Sequence, residues 1–179
     1  MHLAKSSSNS PDVTPVQEVA GTWQVAFDPK WGGPASVQFD KLVSWTERPE
    51  PGIKFYSGTA TYSQTFDWDA SSQPTNGESR VLLDLGDVRE LAEVKLNGQS
   101  CGITWSPPFR VDVSRALRLG ANKLEVEVVN FWPNRIIGDQ SLPRSERLTR
   151  TNVRKLTRDT PLMRSGLFGP VTLVREVAP

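Results

Sequence analysis

The fold is decided by one short stretch, residues 92–103, which reads AEVKLNGQSCGI. Before the turn, Ala92, Val94 and Leu96 alternate with charged residues, a pattern typical of a β-strand with one buried face. The pair Asn97-Gly98 favours the positive φ values that a two-residue hairpin turn needs. The stretch therefore predicts a β-hairpin that turns at this pair.

The same alternation recurs on both sides of the hairpin. In residues 59–66, Ala60, Tyr62 and Phe66 share one face, while threonine and serine occupy the other. Further predicted strands cover residues 21–27, 35–39, 80–85, 109–113, 123–129 and 170–177, and residues 114–120 fit one short helical turn. Many short strands without a long helical pattern predict an all-β protein, an antiparallel β-sandwich of the jelly-roll type.

The chain of 179 residues has the length of one domain. Residues 1–20 are expected to be a disordered leader or linker, and residues 21–179 to form the sandwich. Serine, asparagine and proline are frequent near the start, where the apolar core of a signal peptide is missing. No apolar run reaches the roughly 20 residues that cross a bilayer, so no membrane partner is expected. The sequence leaves the cellular localisation open, and a secreted or periplasmic parent protein is expected.

The inventory of reactive side chains excludes several classes of chemistry. Cys101 is the single cysteine and His2 the single histidine, and His2 lies in the expected leader. Nucleophilic catalysis with an imidazole base, and zinc or copper sites built from His and Cys, are therefore excluded from residues 21–179. No cofactor is predicted. A structural calcium ion is the one option kept open, with oxygen ligands available from four aspartates, Asp28, Asp40, Asp84 and Asp87.

Residues 131–169 interrupt the strand pattern. This segment holds eight basic residues and three acidic ones, although the net charge of the whole chain is +1. It also contains many leucines and aromatic residues, which a disordered segment rarely has. The prediction is one long, ordered, basic loop that folds over an end of the sandwich. Nucleic acid is not expected as a partner, because the net charge is small and no base-stacking surface is evident.

The order of motifs resembles a known family of domains. GTATYSQTF at 58–66, PFRVDV at 108–113 and LGANKLEVEV at 119–128 follow one another as in the galactose-binding-like, jelly-roll domain of glycoside hydrolases. The flanking segments, with NFWPNRIIGD at 130–139 and PLMRSGLFGPVTL at 161–173, are similar to the C-terminal domain of family 106 α-L-rhamnosidases. The resemblance implies a sandwich without the active site, because in such enzymes the catalytic glutamates and a calcium ion belong to a separate barrel.

Carboxylate pairs are the only candidates for acid–base catalysis, and none is assigned a catalytic role. Glycosidases hold two carboxyl groups across a sugar. The pairs Asp67/Asp69 and Glu125/Glu127 are each two residues apart on a strand, which is typical of a solvated face. The sequence therefore predicts no catalytic residue.

Four tryptophans lie in predicted loops beside glycine or proline, where an indole ring can be presented to a sugar. They are Trp31, Trp45, Trp105 and Trp132. The alternative for each is that the ring packs over the end of the sandwich, since tryptophan is usually largely buried.

The segment FWPNRIIGD, residues 131–139, supplies the remaining candidates for carbohydrate binding. Asn134, Arg135 and Asp139 add an amide, a guanidinium and a carboxylate to the ring of Trp132. A competing interpretation is an internal Arg135–Asp139 ion pair that holds the long loop in place.

Three functions remain open from the sequence. The leading one is a non-catalytic carbohydrate-binding module for plant cell-wall polysaccharide, pectic and containing rhamnose or uronate. It rests on the loop tryptophans and on the basic loop, whose arginines can pair with a uronate carboxylate. The second is an accessory domain of a rhamnosidase that packs on a glycoside hydrolase catalytic domain. The third is a minimal glycoside hydrolase that acts alone.

Overall fold

The computed structural model describes residues 13–69, 80–152 and 154–176. Strands dominate this part of the chain. They are β1 (Val13–Glu18), β2 (Trp23–Phe27), β3 (Val37–Phe39), β4 (Thr59–Trp68), β5 (Arg80–Asp84), β6 (Asp87–Arg89), β7 (Leu91–Leu96), β8 (Gln99–Thr104), β9 (Arg110–Asp112), β10 (Gly120–Val129), β11 (Gly166–Gly169) and β12 (Thr172–Glu176).

Helical structure is short. Helix α1 covers Pro51–Lys54 and helix α2 covers Pro133–Asp139, and single 3₁₀ turns cover Pro29–Trp31 and Trp45–Glu47. Both α-helices begin at a proline, whose fixed φ suits the first helical turn. None of the helices in the described ranges has the length and apolar character to span a bilayer.

Two antiparallel sheets enclose one core. The larger sheet has the strand order β3-β2-β4-β10-β7-β8, the smaller has β1-β12-β5-β9, and β6 and β11 form a two-stranded ribbon. The residues that alternate inward from both sheets form a single buried hydrophobic cluster. The predicted fold class, an all-β antiparallel sandwich of the galactose-binding-like type, is confirmed.

The predicted hairpin joins β7 to β8. Asn97 and Gly98 have φ values of 54° and 81°, the left-handed conformation that such a turn requires. The Asn97 side chain also ties the turn to β10: its Nδ2 donates to Asn122 Oδ1 at 2.8 Å, and its Oδ1 accepts from the backbone N–H of Lys123 at 3.0 Å. Asn97 therefore adopts the conformation of the turn and also binds the turn to the neighbouring strand β10.

Strands β4 and β10 lie side by side in the middle of the larger sheet and turn one face to the core. Ala60 and Tyr62 face inward as predicted, opposite Val128 and Val126 of β10. The Tyr62 hydroxyl accepts a hydrogen bond from Trp45 Nε1 at 2.5 Å. Burial raises the pKa of Tyr62 to about 12, because the charged phenolate is poorly solvated there.

The expected boundary between leader and domain is wrong. Strand β1 lies within residues 1–20 and pairs with β12, so the sandwich includes at least residues 13–18. This strand could not be recognised locally, because its partner is more than 150 residues away in the sequence. Residues 1–12 of the expected leader, and position 177 of the last predicted strand, lie outside the described residues.

The expected loop at 131–169 is only partly irregular. It begins with α2 and ends with β11, and residues 140–165 between them contain turns and bends. The short turn predicted at 114–120 is a hydrogen-bonded turn at residues 114–116.

The register of the strands places three connections at the same end of the larger sheet. β4 begins opposite the ends of β10 and β2, and β7 begins opposite the ends of β10 and β8. The connections that follow β2, β8 and β10 therefore leave the sandwich together, at what we term the loop end. The segment that follows β10 belongs to this end.

Candidate functional site

Buried amides anchor the segment that follows β10. Asn130 Nδ2 donates to Ser165 Oγ at 3.0 Å, and Asn134 Nδ2 donates to Met163 O at 2.7 Å. Asn134 Oδ1 in turn accepts from the N–H of Met163 at 2.8 Å. These bonds join the start of the segment to its end, just before β11. Asn134, predicted to contact a saccharide, is buried and lies out of reach of a ligand, because its amide completes this internal network.

Arg135 and Asp139 form a second internal anchor. Arg135 Nη2 lies 2.9 Å from Asp139 Oδ1, and the side chains are 7% and 2% exposed. Asp139 Oδ2 accepts from both the N–H and the hydroxyl of Thr149, at 2.8 and 2.6 Å. The competing interpretation, an ion pair that holds the long segment in place, is confirmed. Both charged groups point away from solvent, so the predicted exposed guanidinium and carboxylate are not presented at these positions.

Trp45 lies at the centre of the core rather than at its rim. Its ring packs edge-on against Phe27 and Tyr56, with centroids 5.3 and 5.7 Å away, and the side chain is fully buried. Gly166 covers it so closely that a Cβ there would lie 2.6 Å from the indole nitrogen. The prediction of an exposed indole at position 45 is wrong, because residues from far along the chain close over the loop that carries it.

The other three predicted tryptophans are exposed, and all lie at the loop end. Trp31 follows β2, Trp105 follows β8 and Trp132 follows β10, with exposed fractions of 46%, 74% and 55%. A fourth exposed ring, Phe131 at 52%, was missed by the sequence analysis. The alternation along β10 was the available signal, because it turns residues 129 and 131 away from the core.

Part of this aromatic surface continues onto the outer face of the larger sheet. Ile103 is exposed on the outward side of β8. One step further in the same register, Trp105 comes opposite Leu91, which pairs with Val129. Trp105, Leu91 and Val129 therefore form a row roughly 10 Å long, since adjacent strands are about 4.8 Å apart. Ile103 precedes Trp105 by two residues, and Phe131 follows Val129 by two residues. We term these five residues the apolar row.

The basic segment encloses a cavity of ≈960 Å³. Five arginines line it, namely Arg144, Arg147, Arg150, Arg154 and Arg158. The acidic residues of its wall are Asp139, which is already paired with Arg135, and Asp159. We term this the arginine cavity. The basic segment is evident in the sequence, whereas the convergence of its arginines on one cavity could not be foreseen from it.

The segment that lines the arginine cavity also contacts the turn that carries Trp31. A Cβ placed on Gly32 would lie 2.9 Å from Leu148 Cδ1, so Leu148 packs against this turn. Arg147 and Thr149, the neighbours of Leu148, both line the cavity. The arginine cavity and the exposed rings therefore share the loop end.

The carboxylates of Glu125 and Glu127, and the four weighed as calcium ligands, are engaged with other protein groups. Glu125 and Glu127 pair with Lys123 and Lys95 at 2.9 and 2.6 Å on the outer face of the sheet. The four aspartates weighed as calcium ligands accept hydrogen bonds from other protein groups or form ion pairs with them: Asp28, Asp40, Asp84 and Asp87. Among the described residues, no group of three or more acidic, His or Cys side chains is arranged to hold a metal ion.

An antiparallel sandwich with exposed rings and an irregular segment at one end is the architecture of a galactose-binding-like domain. The chain belongs to the family described as glycosyl hydrolase 2 galactose-binding domain-like, which it matches over residues 47–163. The resemblance to this domain of glycoside hydrolases, found in the sequence, is confirmed.

Individual relatives agree with the family. A protein of Formosa agariphila named as a beta-glucuronidase is 39% identical, over 87% of this chain and 15% of that protein. The solved structure of a rhamnosidase from Novosphingobium sp. PP1Y is 38% identical with a TM-score of 0.84, over 98% of this chain and 16% of that chain. A Ruminococcus gnavus beta-glucuronidase in complex with D-glucuronic acid, 20% identical with a TM-score of 0.59 over 98% of this chain and 31% of its own, shares the fold.

The chain spans only a small part of these relatives. The first two are more than six times longer than the region they share with it.

Proposed function

We propose that this domain is a non-catalytic carbohydrate-binding module for polysaccharide that contains rhamnose or uronate, and that the loop end is its binding surface. The observation that carries the proposal is the gathering of Trp31, Trp105 and Trp132 at one end of the sandwich, beside a cavity lined by arginines. Relatives of the domain are named as a rhamnosidase and beta-glucuronidases, which act on sugars of these classes.

The proposal has a simple chemical basis. The C–H-rich face of a pyranose stacks on an indole ring, which also offers an N–H donor at its edge. The sugar hydroxyls need fixed polar partners, and the exposed guanidinium groups of the basic segment supply donors. The buried Asn134, Arg135 and Asp139 contribute indirectly, because they hold that segment in place.

The test is binding of the purified chain to a glycan array, followed by calorimetry on the best ligands. We expect Trp132→Ala and Trp105→Ala each to lower affinity at least about tenfold, which corresponds to about 1.4 kcal/mol. Leu119→Ala is the matched control, because Leu119 is equally exposed but precedes β10 at the opposite end. Failure to bind any rhamnose- or uronate-containing glycan at millimolar concentration would reject the proposal.

A second candidate function is supported by the apolar row. An accessory domain that packs on a catalytic barrel would cover Ile103 and Phe131, two large apolar side chains that are more than half exposed in this chain. Contiguous exposed apolar surface commonly marks an interface. The small share of the relatives that this domain covers is consistent with such a neighbour.

Hydroxyl-radical footprinting separates the two functions. Labelling of Ile103 and Phe131 would be compared between the free chain and the chain joined to a catalytic domain of a family member. Protection of both residues in the joined form supports docking through the apolar row. Equal labelling in the two forms rejects docking through the apolar row, and Ile103 and Phe131 would then be assigned to the saccharide-binding surface.

A further inference from the structure

The arginine cavity carries positive charge that the protein itself does not neutralise. Within the described part of the chain, Arg144, Arg150 and Arg154 form no ion pair. Arg158 lies 3.8 Å from its sequence neighbour Asp159, and both of these side chains are largely exposed. Asp139 gives no compensation, because its carboxylate is used by Arg135 and Thr149.

Gathering like charges in this way raises the free energy of the folded segment, since the guanidinium groups repel one another. The segment keeps its shape because it is anchored by groups that are neutral or already paired, the buried Asn134 and the Arg135–Asp139 ion pair. A bound anion would remove the repulsion. The guanidinium fork is suited to this, since it donates two parallel hydrogen bonds to a carboxylate or to a sulfate oxygen pair.

We infer that the arginine cavity binds the anionic substituent of the saccharide, a uronate carboxylate or a sulfate ester. The inference rests on the proposed carbohydrate-binding function and names the substrate class for that site. Its position supports a sugar-borne anion, because Leu148, which lies between the lining residues Arg147 and Thr149, contacts the turn that carries Trp31. A sugar ring stacked on this indole would lie against the segment that carries the arginines, toward which a charged substituent of the ring could point.

The decisive variant is Arg144→Gln/Arg150→Gln, which removes two exposed positive charges from the cavity wall. Its matched control is Arg115→Gln/Arg118→Gln. Those arginines are exposed as well, and they lie between β9 and β10 at the opposite end of the sandwich. Both double variants change the net charge equally, so only the location of the charge differs.

Calorimetry would use four ligands of equal length on the full chain: an oligogalacturonate, its carboxyl-reduced form, a sulfated neutral oligosaccharide and a single-stranded oligonucleotide. In 20 mM NaCl we expect the oligogalacturonate or the sulfated ligand to bind at least about tenfold more tightly than the reduced form. The cavity variant should lose this preference and the control should keep it. The preference should also shrink as salt screens the charges.

The outcomes separate the inference from the proposed function. Equal affinity for the charged and reduced oligosaccharides overturns the inference and leaves carbohydrate binding in place. Binding of no saccharide overturns the proposed function. Equal losses in the two double variants, or tighter binding of the oligonucleotide than of either acidic saccharide, show a general charge effect and also overturn the inference. The preference for the carboxylate or the sulfate ligand identifies the anion.

Discussion

Replacing Asp139 by alanine removes the group that holds the basic segment to α2. The carboxylate accepts hydrogen bonds from Arg135 through Oδ1 and from the N–H and hydroxyl of Thr149 through Oδ2. With side-chain exposures of 7% for Arg135 and 2% for Asp139, both charges are shielded from water. The substitution therefore leaves a buried guanidinium without a counter-charge, and two donors of Thr149 without an acceptor.

The size of the effect follows from that burial. Removing one partner of a buried ion pair typically destabilises a protein by about 3–5 kcal/mol. For a domain of this length each kcal/mol lowers the melting temperature by roughly 2–4 °C, so a decrease of about 10 °C is expected. Because the anchors hold the segment and not the sheets, amide exchange should increase first in residues 140–152, before the strands respond.

Scanning calorimetry and hydrogen exchange measure the two parts of this prediction. Asp159→Ala is the control, since its contact with Arg158 is 3.8 Å long and exposed, and no measurable change is expected. The double variant Arg135→Met/Asp139→Leu should be less damaging than Asp139→Ala, because it leaves no unpaired buried charge. A loss below about 1 kcal/mol for Asp139→Ala, with unchanged exchange in the segment, would refute the reasoning.

Three further predictions follow from the core and the turns. The raised pKa of Tyr62, about 12 against 10.0 for the free side chain, means that the folded state keeps a proton that the unfolded state has lost. Its contribution to the free energy of unfolding, about 2–3 kcal/mol, is present below pH 10 and should disappear between pH 10 and 12; alkaline unfolding of the wild type and Tyr62→Phe measures the difference. Asn97→Ala should cost about 2–3 kcal/mol in urea denaturation, because it strains a left-handed residue and breaks the bonds to β10, whereas no loss would contradict the role of this turn. Gly138→Ala should lower stability by about 1–3 kcal/mol, because the new methyl group would lie 2.6 Å from the Phe55 side chain; a melting temperature equal to that of the wild type would show that α2 moves freely.

The fold could be predicted where the signal is local. The hairpin at Asn97 is encoded by two adjacent residues and by the alternation that precedes them, and the inward face of β4 by the period of its own sequence. Strand β1 gave no such signal, because it is defined by its pairing with β12 at the other end of the chain. Strands β6 and β11 are only three and four residues long, too short for a pattern.

The site was harder to predict, because exposure depends on what covers a residue. Trp45 and Trp132 both lie in connections, yet Gly166 closes over the first and nothing among the described residues closes over the second. The Arg135–Asp139 pair was one of two interpretations of residues 131–139, although the helix that brings the two side chains together was not predicted. The hydrogen bond from Thr149 to Asp139 was not expected, because Thr149 lies ten positions further along and reaches Asp139 only once the segment has folded back.

The two anchors of the basic segment fix its ends separately from the two sheets. Asp139 holds Thr149 and Asn134 holds Met163, and between these two points Thr157 bonds to Thr160 within its own turn. We therefore expect that the stretch between the anchors can be lengthened, shortened or exchanged while both sheets keep their register. For protein engineering, this makes the domain a scaffold with one replaceable insert, onto which recognition of a different ligand can be grafted.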